Sequence, residues 1–156
     1  MDEAKLDIRF NSEWLNVMSF SDVIKLMSKA TIAQLLQRED FDNRYKGNMP
    51  ISMHELLYPL MQGYDSVVLS ADIEMGGTDQ LFNCMMGRVL QESDGRPCQA
   101  VVSMPLLIGL DGKEKMSKSK NNTIGLTEEP NQMYGKVMST PDELLPTTSI
   151  WLLTFH

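Results

Sequence analysis

The sequence predicts an α/β fold in which a helix joins two parallel strands. Residues 66–73 form a short β-branched run, residues 81–91 keep helical spacing behind a glycine-containing turn at 76–80, and residues 99–104 form a second apolar run. Strand, turn, helix and strand in this order make a βαβ unit, whose strands run parallel with a right-handed crossover. Helical patterns earlier in the chain predict short helices ahead of the sheet.

The segments ahead of the βαβ unit predict one short strand and two short helices. Residues 5–10 alternate polar and apolar side chains as a strand does, and Asn11 or Ser12 can cap the turn that follows. From Ser21, which we take as an N-cap, apolar side chains keep helical spacing with a break at 28–31. We therefore expect two amphipathic helices separated by that break.

A polar stretch and a longer helix are expected next. Residues 38–50 predict an exposed connection or a ragged helix end, since they are rich in charged side chains, asparagine and glycine. A helix is expected over 52–63, because Ser52 and Glu55 have the spacing of a capping box and apolar side chains follow them. Pro59 implies a kink in this helix or a late start.

Downstream of the βαβ unit, the sequence predicts a polar loop at 111–122 and a helix over 128–138. Residues 151–156 form an apolar, helix-like segment that stops without a cap. We therefore expect a chain that is cut at both ends. Such a fragment is expected to leave strand edges exposed and to lack activity by itself.

Composition places the chain among ordinary globular proteins and excludes several functions. Its 156 residues, 42% apolar and 22% charged, suit one domain or one piece of a larger domain. The net charge of −7 argues against a surface devoted to nucleic acid, so any phosphate binding is expected to be local. No run approaches the roughly 18 apolar residues of a membrane span, and no secretory leader is visible. We expect a soluble, cytoplasmic protein without membrane contact.

The cysteines and histidines do not have the spacing of a metal site or of an activated nucleophile. Cys84 and Cys98 have no metal-ligand pattern around them and are expected to be buried as small hydrophobic residues. His54 and His156 lie apart from other ligand types. We therefore predict no metal site and no catalytic triad.

Three polar residues are spaced so that one helix face can present them together. Tyr58, Gln62 and Asp65 stand at i, i+4 and i+7. Phenol and amide oxygens can accept from an ammonium group, and a carboxylate can accept from a hydroxyl. The set therefore suits an amino-acid ligand, and the alternative is a polar stripe that faces solvent.

A second candidate site is the glycine-containing turn, which sits where a strand end meets a helix start. Gly76 and Gly77 allow a ligand to approach the backbone. Asp79 can accept from ribose hydroxyls, and Gln80 can donate its amide to a carboxylate. The alternative is an ordinary tight turn in which Thr78 caps the helix.

The loop at 111–120 is basic inside an acidic chain. It concentrates four lysines, Lys113, Lys115, Lys118 and Lys120. Ammonium groups on a mobile loop can close over a triphosphate and neutralise the charge that develops on departing pyrophosphate. The alternative is a solvated lysine-rich loop without a ligand.

Together these motifs resemble a known enzyme family. The second signature of class I aminoacyl-tRNA synthetases is matched letter for letter by Lys115, Met116, Ser117, Lys118 and Ser119. Residues 58–65 and 76–83, upstream at the right distance, resemble bacterial tyrosyl-tRNA synthetases. The resemblance implies the C-terminal half of a Rossmann-like class I synthetase catalytic domain, with a parallel sheet and a helical connective insertion.

The resemblance also implies a division of the partial catalytic domain, 1–156, into four regions. The connective insertion, 17–51, resembles the part that is used for homodimer contact and acceptor-stem binding. The second half of the nucleotide- and tyrosine-binding fold spans 52–110. The phosphate loop follows at 111–122, and the start of the next helical region at 123–156.

Residue roles follow from the same resemblance. Tyr58 and Gln62 are implied to hold the tyrosine ammonium, and Asp65 to accept from the phenolic hydroxyl. Gln80 is implied to face the tyrosine carboxylate. Lys115 and Lys118 are the implied catalytic residues, since they would lie against the ATP phosphates. The complete implied ATP-binding set is Gly76, Gly77, Asp79, Lys115, Met116, Ser117, Lys118 and Ser119.

The implied activity is that of a tyrosine–tRNA ligase, which makes tyrosyl-adenylate from tyrosine and ATP and transfers the tyrosyl group to tRNA(Tyr). Mg²⁺ is expected to arrive with ATP and not to occupy a dedicated protein site, and the full-length parent is expected to be a homodimer. The family's first signature is absent, and Glu74 stands where some members carry glutamine. Two alternatives stay open: a tryptophanyl-tRNA synthetase relative, and a non-catalytic remnant that dimerises or binds tRNA.

Overall fold

The computed structural model describes residues 5–146, which belong to two compact units, Met1–Met104 and Pro105–His156. Four short helices open the first unit and a βαβ arrangement completes its described part. In chain order the elements of this unit are α1 (Ser12–Leu15), α2 (Phe20–Met27), α3 (Ile32–Leu35), α4 (Glu39–Lys46), α5 (Tyr58–Leu69), β1 (Ile73–Gly77), α6 (Leu81–Ser93) and β2 (Ala100–Met104).

The two helices predicted between residues 21 and 36 are confirmed, and each begins with a capping box. Ser19 caps α2 by accepting from the Asp22 N–H, and the Ser19 N–H donates in return to the Asp22 carboxylate. Thr31 and Gln34 make the same reciprocal pair at the start of α3. The predicted cap at Ser21 was wrong by two residues, because Ser19 is the serine with an acidic partner three positions later.

The predicted strand at 5–10 is wrong. Residues 6–10 form no regular element, and the segment pairs with neither β1 nor β2, the strands of the sheet in the described chain. Their end is instead held locally, since the Phe10 N–H donates to the Glu13 carboxylate at 2.9 Å and Arg9 pairs with the same carboxylate. Alternation of polar and apolar side chains does not make a strand by itself, because strand preference depends on packing against paired neighbours.

The polar stretch at 38–50, expected as an exposed connection or a ragged helix end, contains a complete helix, α4, over 39–46, and only 47–50 form an exposed connection. Phe41 on this helix is 2% exposed, and the Arg38 guanidinium lies 5.1 Å from the centre of its ring. The Arg44 guanidinium donates to the Glu55 carboxylate at 2.5 Å and 3.0 Å. The buried Phe41 ring and the pair between Arg44 and Glu55 therefore hold a helix whose composition is almost entirely polar.

Helix α5 starts late and runs further than expected. A 3-10 turn spans Glu55–Leu57, and α5 follows from Tyr58 with Pro59 in its first turn, as the proline implied. It continues to Leu69, and β1 begins only at Ile73, so the predicted strand at 66–73 is wrong for all but its last residue. Val67 is buried in the helical core, and Ser70 ends the helix in the left-handed region at φ 51°. Burial of the helix outweighed the strand preference of its valines.

The predicted parallel sheet is confirmed. Strand β1 pairs with β2 in a register from Ile73 opposite Ala100 to Gly77 opposite Met104. Helix α6 makes the crossover between them, as expected for residues 81–91. The buried core joins the short helices to this crossover through Leu26, Leu35, Leu60, Val67, Met86 and Leu90.

The second unit contains the lysine loop and α7 (Pro130–Met138), which confirms the helix predicted over 128–138. Within the loop, an antiparallel bridge joins Ile108 to Lys115, and a 3-10 turn spans Lys118–Lys120. The apolar segment at 151–156 lies outside the described residues. None of the helices within 5–146 is long and apolar enough to cross a membrane.

Helices α5 and α6 are in close contact at two glycines. A Cβ added at Gly63 would stand 3.0 Å from the Gly87 nitrogen and 3.1 Å from Leu90 Cδ1. A Cβ added at Gly87 would stand 2.8 Å from the Gln99 side chain. The contact at Gly63 is with the α6 backbone, which cannot move aside as a flexible side chain can, so the helix spacing depends on Gly63.

We predict that Gly63→Ala destabilises the chain by about 1 to 3 kcal/mol, because the methyl group overpacks the contact between α5 and α6. Urea denaturation followed by circular dichroism measures this loss. The matched control is Gly135→Ala on α7, where a Cβ meets nothing within 4 Å and a helical alanine is favoured. Equal stability of the two variants would contradict the prediction.

Candidate functional site

The three polar residues Tyr58, Gln62 and Asp65 all lie on α5. Asp65 is tied to the start of the chain, since the Trp14 indole N–H donates to its Oδ1 at 2.8 Å. Burial raises the pKa of the Asp65 carboxyl above its ordinary value, while bonds from Trp14 and Asn11 act in the opposite direction. Asp65 is therefore a partly desolvated acceptor held by fixed donors, and the solvent-facing alternative does not describe it.

Gln62 is joined to Gln80 through a buried asparagine. The side-chain nitrogen of Asn83 donates to Gln62 Oε1 at 2.9 Å and to Gln80 Oε1 at 3.1 Å. Asn83 is 1% exposed, and its own Oδ1 is buried without a hydrogen-bond partner. The amides of α5 and of the turn before α6 therefore belong to one hydrogen-bonded set, whose centre is a residue that the sequence analysis did not assign.

Tyr58 lies apart from this set. It is about half exposed and lines an open cleft of about 550 Å³, together with Phe41, His54 and Met61. Neither Gln62 nor Asp65 lines this cleft. The structure thus brings Gln62 together with Gln80, and Gln62 shares helix α5 with Asp65. The Tyr58 side chain instead faces the neighbourhood of α4.

The glycine motif lies at the carboxyl end of the sheet. Gly76 and Gly77 are the last residues of β1 and do not form the predicted turn. Gly77 is extended, and the 3-10 turn Thr78–Gln80 follows it and carries Asp79 into the start of α6. This edge is where ligands bind in open α/β sheets, because strand ends and a helix N-terminus meet there.

Glu74, whose role the sequence left open, is directed into the protein. Its Oε2 accepts from Ser66 Oγ at 3.1 Å and from the Gln99 side-chain nitrogen. Burial, with a further contribution from Glu74, raises the pKa of the Cys84 thiol to about 11. Cys84 is therefore a buried neutral thiol, as expected, whereas the prediction that Cys98 is buried is wrong, since Cys98 is exposed.

The lysine loop in the second unit is ordered by its own side chains. Asp111 Oδ1 accepts from the backbone N–H groups of Lys113 and Glu114, at 2.9 Å and 3.0 Å. Lys120 pairs with Glu114 at 2.8 Å, and the hydroxyls of Ser117 and Ser119 lie 2.8 Å apart. Met116 bonds back through its N–H to the Leu107 carbonyl at 2.7 Å. Lys115 and Lys118 thus project from a folded loop, not from a freely solvated one.

A family model described as class I tRNA synthetases (W and Y) matches residues 1–155. The chain belongs to this family. The tyrosine–tRNA ligase 2 of Photorhabdus laumondii is 60% identical over 140 residues, which are 90% of this chain and 35% of that protein. The tyrosine–tRNA ligase of Ralstonia nicotianae is 54% identical over 156 residues, which are 100% of this chain and 40% of that protein.

A solved structure agrees with these relatives. The tyrosyl-tRNA synthetase of Archaeoglobus fulgidus complexed with L-tyrosine superimposes with a TM-score of 0.71 at 29% identity, over 90% of this chain and 43% of that one. The mixed α/β fold with its parallel pair of strands is therefore that of class I synthetases. The chain spans between 35% and 43% of the length of these three family members.

Sequence reasoning missed Trp14, Asn83 and Asn122. Trp14 reaches Asp65 across 51 residues of chain, a distance over which spacing gives no signal. Asn83 follows Gln80 at i+3, so a local helical signal existed for that contact alone. Asn122 was included in the predicted loop at 111–122, but its burial was not anticipated.

We predict that Trp14→Phe raises the pKa of Asp65 further, because the variant keeps an aromatic ring and removes the N–H that stabilises the carboxylate. Carboxyl ¹³C chemical shifts over a pH titration measure it. A raised pKa means that the folded chain binds the proton more tightly than the unfolded chain. Stability therefore falls as pH rises from the ordinary carboxyl value through the raised one, and more steeply in the variant.

The control for this titration is Glu13→Gln on the same helix, α1. It removes the exposed pair with Arg9 and leaves the Trp14 indole in place. The pKa of Asp65 is expected to stay where it is in this control. An unchanged value in Trp14→Phe would mean that the indole bond does not stabilise the carboxylate.

Proposed function

We propose that the chain is the tyrosine-binding and phosphate-binding part of a tyrosine–tRNA ligase. The observation that carries the proposal is the α5 face, where the Asp65 carboxylate is partly desolvated and held by the Trp14 indole. A buried acceptor pairs with a phenolic hydroxyl and is left unpaired by phenylalanine, which is unfavourable. Tyrosyl-tRNA synthetases are the well-studied example of this asymmetry.

The amide set supports the amino-acid end of the same ligand. Gln62 and Gln80 are oriented by Asn83, so their free amide positions have fixed directions before any ligand arrives. In our proposal Tyr58 and Gln62 accept from the tyrosine ammonium, and Gln80 donates to the carboxylate. Because Tyr58 stands about half exposed over the neighbouring cleft, its ring would turn toward the ligand on binding.

The proposed first reaction joins tyrosine to the α-phosphate of ATP. A tyrosine carboxylate oxygen forms the new bond to phosphorus, the bond from phosphorus to the bridging oxygen breaks, and pyrophosphate leaves with the electron pair. Lys115 and Lys118 would neutralise the charge on the departing pyrophosphate, which is an effect largest in the transition state. Gly76, Gly77 and Asp79 would hold the ribose, while Met116, Ser117 and Ser119 shape the loop around the phosphates.

The other proposed partners are Mg²⁺, which arrives with ATP as part of the substrate, and tRNA(Tyr), which receives the tyrosyl group. Within residues 5–146 no cluster of three metal-ligating side chains is present. A cytoplasmic location belongs to the same proposal, since the substrates of protein synthesis are found there.

The proposal is tested in a chimera in which residues 1–156 replace the aligned segment of the Ralstonia nicotianae relative, which matches all of this chain. Tyrosine-dependent exchange of pyrophosphate into ATP reports adenylate formation. We predict that Lys115→Ala with Lys118→Ala lowers kcat by at least about 100-fold, the loss typical when charge stabilisation is removed from a transition state. Lys113→Ala, in the same loop but outside the signature, is expected to have little effect.

Each of the other outcomes supports a different function for the chain. A chimera that exchanges pyrophosphate with tryptophan and not with tyrosine is a tryptophanyl enzyme. A folded chimera whose exchange rate is unchanged by the double lysine substitution contradicts the proposed role of the loop. A folded chimera without exchange that still dimerises or binds tRNA supports the non-catalytic remnant.

We also infer that the full-length protein is a homodimer through the connective insertion, 17–51. Phe20 and Ile24 support this, since they are apolar, 80% and 47% exposed, and one turn apart on α2, and Val17, just ahead of this helix, is 79% exposed. Isolated exposed apolar residues are common on monomers, but a contiguous apolar face is typical of an interface.

We predict that Phe20→Glu shifts the chimera from dimer to monomer, because a buried charge without a partner is strongly unfavourable at an interface. Light scattering after size-exclusion chromatography measures the mass. Leu126→Glu is the control, since Leu126 is 93% exposed and lies in the second unit, outside the insertion. A Phe20→Glu variant that remains dimeric would show that this face of the insertion is not part of the dimer interface.

A further inference from the structure

Asn122 is the most completely bonded residue of the lysine loop. It is 5% exposed although it ends a polar loop. Its Oδ1 accepts from the Ser117 N–H at 2.8 Å, and its Nδ2 donates to Asp111 Oδ2 at 2.8 Å and to the Lys115 carbonyl at 3.2 Å. One amide therefore holds the backbone on both sides of Met116.

Gly109, just ahead of the loop, leaves the space that the Asn122 side chain occupies. A Cβ added at Gly109 would stand 2.0 Å from Asn122 Nδ2, so any side chain there would displace the amide. The neighbouring Leu110 N–H donates to the Asn122 carbonyl at 3.0 Å. Asn121 turns the chain into this position with a left-handed backbone at φ 52°.

Asp111 contacts the Asn122 amide from the other side. Its Oδ1 is occupied by the N–H groups of Lys113 and Glu114, and its Oδ2 accepts from Asn122. These backbone bonds, led by that of Lys113, and the bond from Asn122 lower the pKa of Asp111, so it remains ionised near neutral pH. The carboxylate thus fixes which way the Asn122 amide faces, and through it the position of Ser117.

We propose that Asn122 is a positioning residue that sets the separation of Lys115 and Lys118 in the loop. Its amide bonds the carbonyl of Lys115 and the N–H of Ser117, the residue directly before Lys118, so neither lysine's backbone moves independently of the other. A loop ordered before ATP arrives loses less conformational entropy on binding and presents both ammonium groups together. The inference rests on the proposed phosphate-binding function of the loop.

The first arm of the test measures the loop and not the reaction. Hydrogen–deuterium exchange is followed by mass spectrometry in the Ralstonia chimera, in peptides that cover residues 115–122. Asn122→Ala is expected to speed exchange there, because the Ser117 N–H loses its acceptor. Asn121→Gly is the matched control, since glycine adopts the same left-handed backbone without strain. Unchanged exchange in Asn122→Ala would overturn the proposal.

The second arm separates binding from chemistry. In tyrosine-dependent pyrophosphate exchange, Asn122→Ala is expected to lower kcat by about 10- to 100-fold, the range for misplaced but intact groups, while the KM for tyrosine stays unchanged. A general loss of folding would change both values and the far-ultraviolet circular dichroism. Unchanged kcat despite faster loop exchange would overturn the positioning role.

A rescue variant keeps the proposal falsifiable if Asn122→Ala is poorly folded. Asn122→Asp alone sets a second carboxylate against Asp111 and is expected to impair kcat. Adding Asp111→Asn restores one donor and one acceptor across this contact with the direction reversed, and the carboxylate of Asn122→Asp still accepts from the Ser117 N–H, while the bond to the Lys115 carbonyl stays lost. The double variant is expected to recover part of the kcat that Asn122→Asp alone loses, and a double variant no more active than Asn122→Asp would overturn the proposal.

Failure of this inference and failure of the proposed function are distinguishable. If the double substitution of Lys115 and Lys118 does not affect exchange, the function of the loop is wrong. If those lysines matter and Asn122 does not, only the positioning role is wrong.

Discussion

The close approach of α5 to α6 is the constraint on which both the core and the candidate site depend. Gly63 and Gly87 let the two helices meet with backbone against backbone. Gln62 is the neighbour of Gly63, and Asn83 lies one helical turn before Gly87, so the same spacing brings their amides to 2.9 Å. The packing that excludes water from Leu60 and Leu90 therefore also sets the distance between the Gln62 and Asn83 amides.

Local sequence patterns predicted those parts of the fold in which local preference and burial agree. The crossover α6, strand β2 and the parallel pairing followed from periodicity and from the order of the elements. The strand prediction around Val67 was wrong because the surrounding core, and not local preference, favours a helix for this β-branched pair. Helix α4 was missed for a related reason, since its one buried residue, Phe41, cannot produce a periodic apolar signal by itself.

The candidate site divides in the same way. The shared helix of Gln62 and Asp65 and the position of the glycine motif at a strand end followed from spacing alone. The groups that orient them did not, because Trp14 approaches Asp65 from a different element and only the folded chain brings them together. The burial of Asn122 was not predicted for another reason, since a polar residue in a polar loop is expected to face water. Its burial depends on Gly109, where the lack of a side chain leaves room for the amide.

The shared asparagine between the two glutamines has a consequence for how this site can evolve. Asn83 donates to Gln62 and Gln80 at once, so a substitution at either glutamine changes the partner of the other. Energies of such contacting residues are not additive, and the order in which changes accumulate then decides which are tolerated. A change of amino-acid specificity here would pass through epistatic intermediates, and libraries that vary the three positions together reach sequences that single steps cannot.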